Sequence, residues 1–291
     1  MSVMETASEQ AEFGDAVVEG SQQANLVKTR HFSLQLVDPL SAEDQVVQAM
    51  DDASPAKWHL AHTTWFFEDL ILKPYLDDYQ VFDACYSYCF NSYYETVGPR
   101  HPRPKRGLLT RPSVEEVHAY RSHVDDALDR LFATYASELP NEIAALITLG
   151  INHEQQHQEL LLTDILSLFA ASPLRPAYQD AQSSQTTATA PDMQWIGFDG
   201  GIFEVGNDGT GFAYDNEAPR HEALIRPFRL ANRPVSNGEW LAFMEDGGYR
   251  TSTLWLSDGW ATVNDNDWQA PLYWENRDGE WLQMSLQGLL P

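Results

Sequence analysis

The chain has 291 residues, 43% of them hydrophobic, so it is long enough to form two domains. It contains 18 Lys and Arg residues against 43 Asp and Glu, a formal net charge of −25 at pH 7. This charge argues against nucleic acid or an anionic membrane as a partner, and an anionic ligand would require a local basic site. The sequence has no apolar stretch long enough for a membrane span, and its 2 cysteines are too few for a secreted disulfide scaffold. We expect a cytoplasmic protein.

The chain begins with an acidic, polar segment, residues 1–21, which we expect to be a disordered tail. Residues 22–37 then form the first predicted helix. A second predicted helix begins at Ser54-Pro55 and runs to about Leu72. There, serine would cap the helix and proline would take its first position.

Two longer helices are predicted further along the chain. In the segment 113–136, Ser113 stands three residues before Glu116, which is the pattern of a capping box. The segment 141–170 has apolar residues at helical spacing and ends before a proline. Four helices of this length predict an all-α, up-and-down bundle over residues 22–172, whose core can hold a metal ion between facing helices.

The last of these helices contains the sequence NHEQQHQELLLTDI, which places His153 and His157 one turn apart. Residues four apart lie one above the other on a helix, so both imidazoles can reach one ion. The apolar pattern assigns both to the interior, together with Leu160 and Asp164. Burying two histidines beside acidic groups is unfavourable without a cation or an extended polar network, so a metal site is predicted. Hydrogen-bonded core histidines are the alternative, and the spacing does not name the metal.

The second helix supplies a third candidate ligand in the sequence KWHLAHTTWFFEDL. His59 and His62 are three residues apart, and either could complete a three-histidine site. Helical spacing groups His62 with aromatic residues, which favours it as the inward residue. His59 would then support the ligands from behind or lie at the surface. An aromatic core with hydrogen-bonded histidines is the alternative.

The composition changes abruptly after the helices. The stretch AYQDAQSSQTTATAPDM is poor in large apolar residues, and residues 173–192 are predicted to be a linker. After it, short apolar runs such as MQWIGF and ALIRPFRL alternate with turns at DGG, NDG and EDGG. This pattern predicts a loop-rich α+β domain over residues 193–291.

Several motifs point to one family. SPAKWHLAHTTWFFE, FNSYYETVGPRHPRPKRGLLTRPS and NHEQQHQELLLTDI are followed by GGIFEVG, DNEAPRH, RPVSNGEW and DGGYRTSTLW. In these motifs, over nearly all of residues 25–291, the chain resembles the ergothioneine-biosynthesis sulfoxide synthases. The resemblance implies a multi-domain fold. A DinB-like four-helix bundle would be followed by a C-type-lectin-like domain of the formylglycine-generating-enzyme kind, which we expect to be incomplete at residue 291.

The resemblance also implies a chemistry. Such an enzyme is a mononuclear non-haem iron(II) protein that uses O₂ to join a thiol to the imidazole of hercynine, an N-α-trimethylated histidine, as a sulfoxide. The thiol is cysteine or γ-glutamylcysteine. By the same resemblance, His62, His153 and His157 would bind Fe(2+). The pattern His-x-x-x-His-x-Glu favours Glu159 as a hydrogen-bond acceptor behind the ligands over a role as a ligand. An ovothiol or selenoneine synthase, a zinc-dependent DinB-like thiol transferase and a non-catalytic binding module remain alternatives.

The basic run GPRHPRPKRG is the densest positive cluster in this acidic chain. Its guanidinium groups suit bidentate binding of carboxylates, although a solvated basic loop is the alternative. The resemblance assigns Arg103 and Arg106 to the carboxylate of the thiol donor and Gln156 to hercynine. The family's catalytic tyrosine is expected beyond Pro291, so no catalytic residue is assigned, and the chain as it stands is expected to turn over slowly or not at all.

Overall fold

The computed structural model describes residues 21–92, 98–135, 138–180 and 190–291. The predicted tail lies outside the described residues except for Ser21, whose side chain accepts a hydrogen bond from the Ala24 amide and caps the first helix. Residues 181–189 of the predicted linker also lie outside them. Across the described part of the chain, no helix combines the length and apolar character that a membrane crossing requires.

The first half of the protein is helical, and the four predicted helices are confirmed. Its helices are α1 (Gln22–Val37), α2 (Ala56–Phe67), α3 (Lys73–Tyr75), α4 (Tyr86–Phe90), α5 (Val114–Thr134) and α6 (Asn141–Ala171). A π-helical turn, Glu68–Leu72, joins α2 to α3 without a break. The four long helices pack as a bundle in which α6 contacts both α1 and α2, and α2 contacts α5.

Two helix starts follow different rules. The capping box at α5 is confirmed, because Ser113 and Glu116 exchange side-chain to backbone hydrogen bonds. The predicted serine cap of α2 is wrong: the helix begins after Pro55, and this residue makes no side-chain cap. The Ser54 hydroxyl instead accepts a hydrogen bond of 2.9 Å from Arg106. A tertiary partner therefore takes the oxygen that a local cap would have used.

Helix α2 is the centre of the bundle, since all 12 of its residues are buried. It approaches α6 closely at Gly150, where an added Cβ would lie 2.5 Å from the Phe67 ring and 2.9 Å from the Phe66 ring. A glycine at this point lets the two backbones come together. The close approach matters because α2 and α6 carry the candidate metal ligands.

The buried stripe of α6 differs from the predicted one. Its members are Ile143, Ile147, Gly150, Glu154, Gln158, Leu161, Ile165 and Phe169. His153 and His157 lie beside this stripe and are partly exposed, and Leu160 is 41% exposed, so its predicted interior position is wrong. The stripe is rotated because a charged residue, Glu154, takes the most enclosed position.

Glu154 is enclosed because two other helices supply cations to it. Arg30 of α1 lies 3.1 Å from one carboxylate oxygen, and Arg121 of α5 contacts the other. Ser33 donates a further hydrogen bond of 2.6 Å, and Asp125 pairs with Arg30. Burial raises the pKa of Glu154, but the guanidinium charges and hydrogen bonds outweigh it and hold the pKa below its ordinary value. The network fixes α6 against α1 and α5.

The second half of the protein consists of small sheets and short helices. Its elements are β1 (Trp195–Phe198), β2 (Gly201–Val205), β3 (His221–Ile225), β4 (Phe228–Ala231), α7 (Asn237–Glu245), α8 (Ser257–Asp265), β5 (Trp274–Arg277), β6 (Glu280–Ser285) and β7 (Gly288–Leu290). In the described part of this half, three antiparallel sheets pair β1 with β4, β2 with β3, and β6 with both β5 and β7. The predicted α+β character of this half is confirmed.

The last sheet packs on the bundle. Met284 of β6 is 2% exposed and belongs to the same apolar core as the bundle helices. The Tyr178 amide donates a hydrogen bond of 2.9 Å to the carbonyl of Leu286, and Arg175 forms an ion pair of 2.8 Å with Glu275. The segment after α6 is therefore attached to both halves of the protein.

Candidate metal centre

Three histidines from two helices meet beside the core. His62 comes from α2, and His153 and His157 come from α6. One ring nitrogen of each histidine lies within 4.8 Å of one ring nitrogen of the other two. The Nε2 atoms of His62 and His153 are 3.1 Å apart. Two nitrogen ligands about 2.1 Å from one ion and at right angles to each other are roughly 3 Å apart. The spacing therefore fits a shared ion.

The hydrogen bonds of His62 favour the same conclusion. Its Nδ1 lies 2.5 Å from the carbonyl oxygen of Phe90, which can only accept, so Nδ1 carries the hydrogen. In the neutral ring, the Nε2 lone pair then points at His153. The Nδ1 atom of His153 is buried without a hydrogen-bond partner among the described residues. This donor set of neutral imidazoles fits a first-row transition metal.

His59 is also buried, and the predicted alternative of a surface position is wrong. Its Nδ1 lies 2.9 Å from Nδ1 of His157, and its Nε2 lies 2.9 Å from Oδ2 of Asp164. Glu159, expected to accept a hydrogen bond behind the ligands, is exposed and bonds none of these histidines within the described chain. Because α6 turns Glu159 outward, Asp164 reaches the histidine cluster instead.

Burial keeps the three histidines neutral. Desolvation lowers the pKa of His153 to about 4. For His62, desolvation is the largest cause and the neighbouring His153 the second, and together they hold its pKa well below 6.5. For His157, desolvation and then His62 likewise hold the pKa well below 6.5. Neutral imidazoles at pH 7 are the form that binds metal ions.

The histidines open onto a cavity of about 1120 Å³. Residues of both halves of the protein form its wall, and the second half contributes residues 211–215. The predicted site residues in this wall are His62, His153, His157, Arg103, Arg106 and Gln156. A cavity of this size can enclose more than one small substrate beside a metal ion.

The two arginines lie on the 3₁₀ helix Arg103–Leu108. Arg106 is buried, with its guanidinium 3.4 Å from the centroid of the Trp58 ring. It donates hydrogen bonds of 2.9 Å to Ser54 and 3.1 Å to Ser92, whereas Arg103 donates to a backbone carbonyl. These contacts hold positive charge at the cavity wall of a strongly acidic protein. Gln156 lies on the exposed side of α6, facing the same cavity.

One part of the cavity wall was missed from the sequence. Tyr214 and Phe212 line the cavity, and their rings form an edge-to-face pair with centroids 4.9 Å apart. The only sequence signal for this loop is its position directly before the motif DNEAPRH. No local pattern brings this loop to the histidines of α6, which lie more than 50 residues earlier in the chain.

Comparison with known proteins agrees with this architecture. The model of the DinB superfamily matches residues 25–161, and that of the sulfatase-modifying factor enzyme 1-like domain matches residues 178–280. Hercynine oxygenase of Mycolicibacterium thermoresistibile is 31% identical over 277 residues, covering 87% of this chain and 54% of that protein. Hercynine oxygenase of Mycolicibacterium smegmatis is 31% identical over 246 residues, covering 78% and 50%. Ergothioneine biosynthesis protein 1 of Neurospora crassa is 26% identical over 145 residues, covering 46% and 16%.

The fold and the matches define the class of this protein: a DinB-superfamily helical region followed by a sulfatase-modifying-factor-like domain. Within that class the chain is similar to the hercynine oxygenases, which confirms its resemblance to the ergothioneine-biosynthesis sulfoxide synthases. The chain spans about half the length of the curated relatives it matches.

Proposed function

We propose that this chain carries the metal site and substrate-binding residues of an iron(II)- and O₂-dependent sulfoxide synthase of ergothioneine biosynthesis. Its substrates would be hercynine and a thiol, either cysteine or γ-glutamylcysteine. The observation that carries the proposal is the convergence of three neutral histidines and two arginines on one cavity. The relatives named hercynine oxygenase support the choice of substrate.

The proposed reaction is balanced by one O₂. A C–H bond of the imidazole and the S–H bond of the thiol break, and a C–S bond forms. One oxygen atom ends on sulfur, and the other leaves as water with both hydrogens. Iron(II) held by His62, His153 and His157 would supply the redox chemistry of this four-electron oxidation. The low pKa values of the ligands keep their lone pairs available for the ion at neutral pH.

The remaining residues would bind and orient the substrates. Arg103 and Arg106 would hold the carboxylate of the thiol donor, because a guanidinium fork matches a carboxylate and the rest of the chain is acidic. Gln156 stands between two of the histidines in sequence and faces the cavity, so its amide can hydrogen-bond hercynine near the metal. Holding both substrates in one cavity lowers the entropic barrier to joining them.

Two alternatives use the same site. Three neutral imidazoles also suit zinc, which would favour a DinB-like thiol transferase that needs no O₂. An ovothiol or selenoneine synthase would keep iron but use another histidine derivative or a selenium donor. The sulfatase-modifying-factor-like domain and the similarity to hercynine oxygenases favour the sulfoxide synthase.

The test is anaerobic loading of the chain with iron(II), followed by O₂ and mass spectrometry of the products. Hercynine would be supplied with cysteine, γ-glutamylcysteine or a selenosugar in separate reactions. We expect a sulfoxide that forms slowly and gains one oxygen from labelled O₂. Substituting alanine for His62, His153 or His157 should abolish stoichiometric iron(II) binding with little change in helix content.

The control for these variants is His31→Ala, since His31 is an exposed histidine of α1 outside the cavity wall. It should bind iron(II) like the unaltered chain. Full iron(II) affinity in His62→Ala, combined with its loss in His59→Ala, would show that the third ligand is wrongly assigned. Thiol transfer by the zinc-loaded chain without O₂ would favour the transferase.

A further inference from the structure

Two residues outside the three-histidine cluster form a hydrogen-bonded chain that ends on one of its members. Oδ2 of Asp164 lies 2.9 Å from Nε2 of His59, and Nδ1 of His59 lies 2.9 Å from Nδ1 of His157. The same carboxylate oxygen accepts a bond of 2.8 Å from the Ser54 amide at the start of α2. Nothing in the mechanism proposed above uses His59 or Asp164.

The direction of each hydrogen bond follows from the donor and acceptor properties of the groups. An ionised carboxylate only accepts, so Nε2 of His59 carries a hydrogen. A neutral imidazole has one N–H and one lone pair, which leaves the Nδ1 of His59 as an acceptor. The Nδ1 of His157 must then be the donor. Its Nε2 is left with a lone pair for a metal ion, and the rings of His62 and His153 lie beside it with centroids 4.6 and 4.7 Å from that of His157.

We propose that His59 and Asp164 are positioning residues that set the tautomer and ring orientation of His157 for metal binding. A metal-binding histidine commonly donates its second N–H to an acceptor that fixes it in this way. His62 has the same arrangement with the backbone carbonyl of Phe90. For His157 the acceptor is a side chain, and it can therefore be replaced.

Asp164 also connects the histidine cluster to Ser54 and, through Ser54, to Arg106. Its carboxylate holds the backbone of Ser54, whose hydroxyl accepts a hydrogen bond from Arg106. Asp164 therefore holds His59, which accepts the hydrogen bond from His157, and also holds Ser54, which accepts a hydrogen bond from Arg106. The inference rests on the proposed metal centre but not on sulfoxide formation.

The first test is the tautomer of His157 in the metal-free protein. Long-range proton–nitrogen NMR spectra of the chain labelled with ¹⁵N-histidine distinguish the two neutral tautomers, with His157 assigned from the spectrum of His157→Gln. We expect the hydrogen on Nδ1. A hydrogen on Nε2 in the unaltered chain would overturn the proposal without any variant having to fold.

The second test compares two substitutions of His59. Gln offers an amide N–H toward Asp164 and a carbonyl oxygen toward His157, whereas Leu offers neither. Iron(II) affinity, measured anaerobically by competition with a chelator, should fall about 10–100-fold in His59→Leu and be largely retained in His59→Gln. Asp164→Leu should act in the same direction.

The outcomes separate this proposal from the proposed function. Equal iron(II) affinity in His59→Leu, His59→Gln and the unaltered chain would show that the acceptor is dispensable. Equal loss in both variants would show that His59 serves only packing, which also contradicts the proposal. The chain could show the expected tautomer of His157 and the expected iron(II) affinities of the His59 variants, yet form no sulfoxide. That result would support the positioning role and reject the proposed reaction alone.

Discussion

Arg106 shows how a single residue can combine structural and substrate-binding roles. It is buried, stacked 3.4 Å above the centroid of the Trp58 ring, and hydrogen-bonded to Ser54 and Ser92. A flat guanidinium stacked on an indole keeps a fixed orientation, which the flexible ammonium of lysine does not. The charge is thus held in one geometry at the cavity wall.

Replacing Arg106 with Met should weaken binding of the thiol donor while hercynine binding changes little. Removing one partner of a desolvated charge pair costs on the order of 2–5 kcal/mol of binding free energy. Isothermal titration of each substrate into the metal-loaded chain measures the two effects separately. Lys105→Met is the matched control, because Lys105 is an exposed neighbour outside the cavity wall.

Comparing Arg106→Met with Lys105→Met tests whether Arg106 is a specific partner of the donor carboxylate. Equal loss of affinity for the donor and for hercynine would indicate a disturbed fold rather than a lost carboxylate contact. Weaker donor binding in Lys105→Met as well would indicate attraction by the basic segment as a whole, and the role of Arg106 as a specific partner would be rejected.

At the level of elements, the site depends on the contact between α2 and α6. Gly150 lies where these helices approach, and its missing side chain is what lets the Phe66 and Phe67 rings fit. Glycine is a poor helix former, so its presence inside a 31-residue helix indicates a packing requirement. The spacing of the two helices in turn sets the distance between His62 and the histidines of α6.

Gly150→Ala should therefore destabilise the protein although alanine favours helices. An added methyl group 2.5 Å from a ring carbon must displace the ring or the helix, and overpacking of this kind costs roughly 1–3 kcal/mol. Urea unfolding followed by circular dichroism measures the change in the free energy of unfolding. We also expect weaker iron(II) binding, because separated helices hold the ligands further apart.

The matched control is the same substitution in α7. An added Cβ at Gly238 meets nothing within 4 Å, so Gly238→Ala should leave stability unchanged or raise it by about 0.5–1 kcal/mol. A Gly150→Ala protein at least as stable as the unaltered chain would show that the helices adjust freely and that their spacing is not fixed here.

In the whole molecule, both halves contribute to one cavity, so their attachment matters for the site. Met284 inserts from β6 into the core of the bundle, and Arg175 and Tyr178 tie the intervening segment to β5 and to Leu286. By contrast, the apolar side chains of β1 to β4 are largely exposed. The last sheet is therefore the main apolar contact with the bundle among the described residues.

Met284→Ala should weaken this attachment. Removing a buried methionine side chain costs about 2–5 kcal/mol, and here the loss falls on the contact between the two halves. Differential scanning calorimetry should show a lower Tm, and limited proteolysis should cleave the second half faster. Glu280→Ala, an exposed change on the same strand, should behave like the unaltered chain. Unchanged calorimetry and proteolysis in Met284→Ala would mean that other contacts hold the halves together.

The sequence alone determined the features that depend on neighbours along the chain. Helical periodicity located α1, α2, α5 and α6, and the Ser113 capping box gave the start of α5. The same periodicity placed His153 and His157 on adjacent turns, because a helix fixes the angle between residues four apart. The family motifs then implied His62 and the two arginines as further site residues.

Only the tertiary structure decided the features that depend on partners far away in the chain. Glu154 occupies the buried stripe of α6 because Arg30 and Arg121, on two other helices, neutralise it. That choice turns Glu159 outward and brings Asp164 to His59. Helical phase determines which residues share a face, but which face is buried depends on the charges that other elements supply. The sequence therefore located the histidine pair, and the packing of the bundle determined what stands behind it.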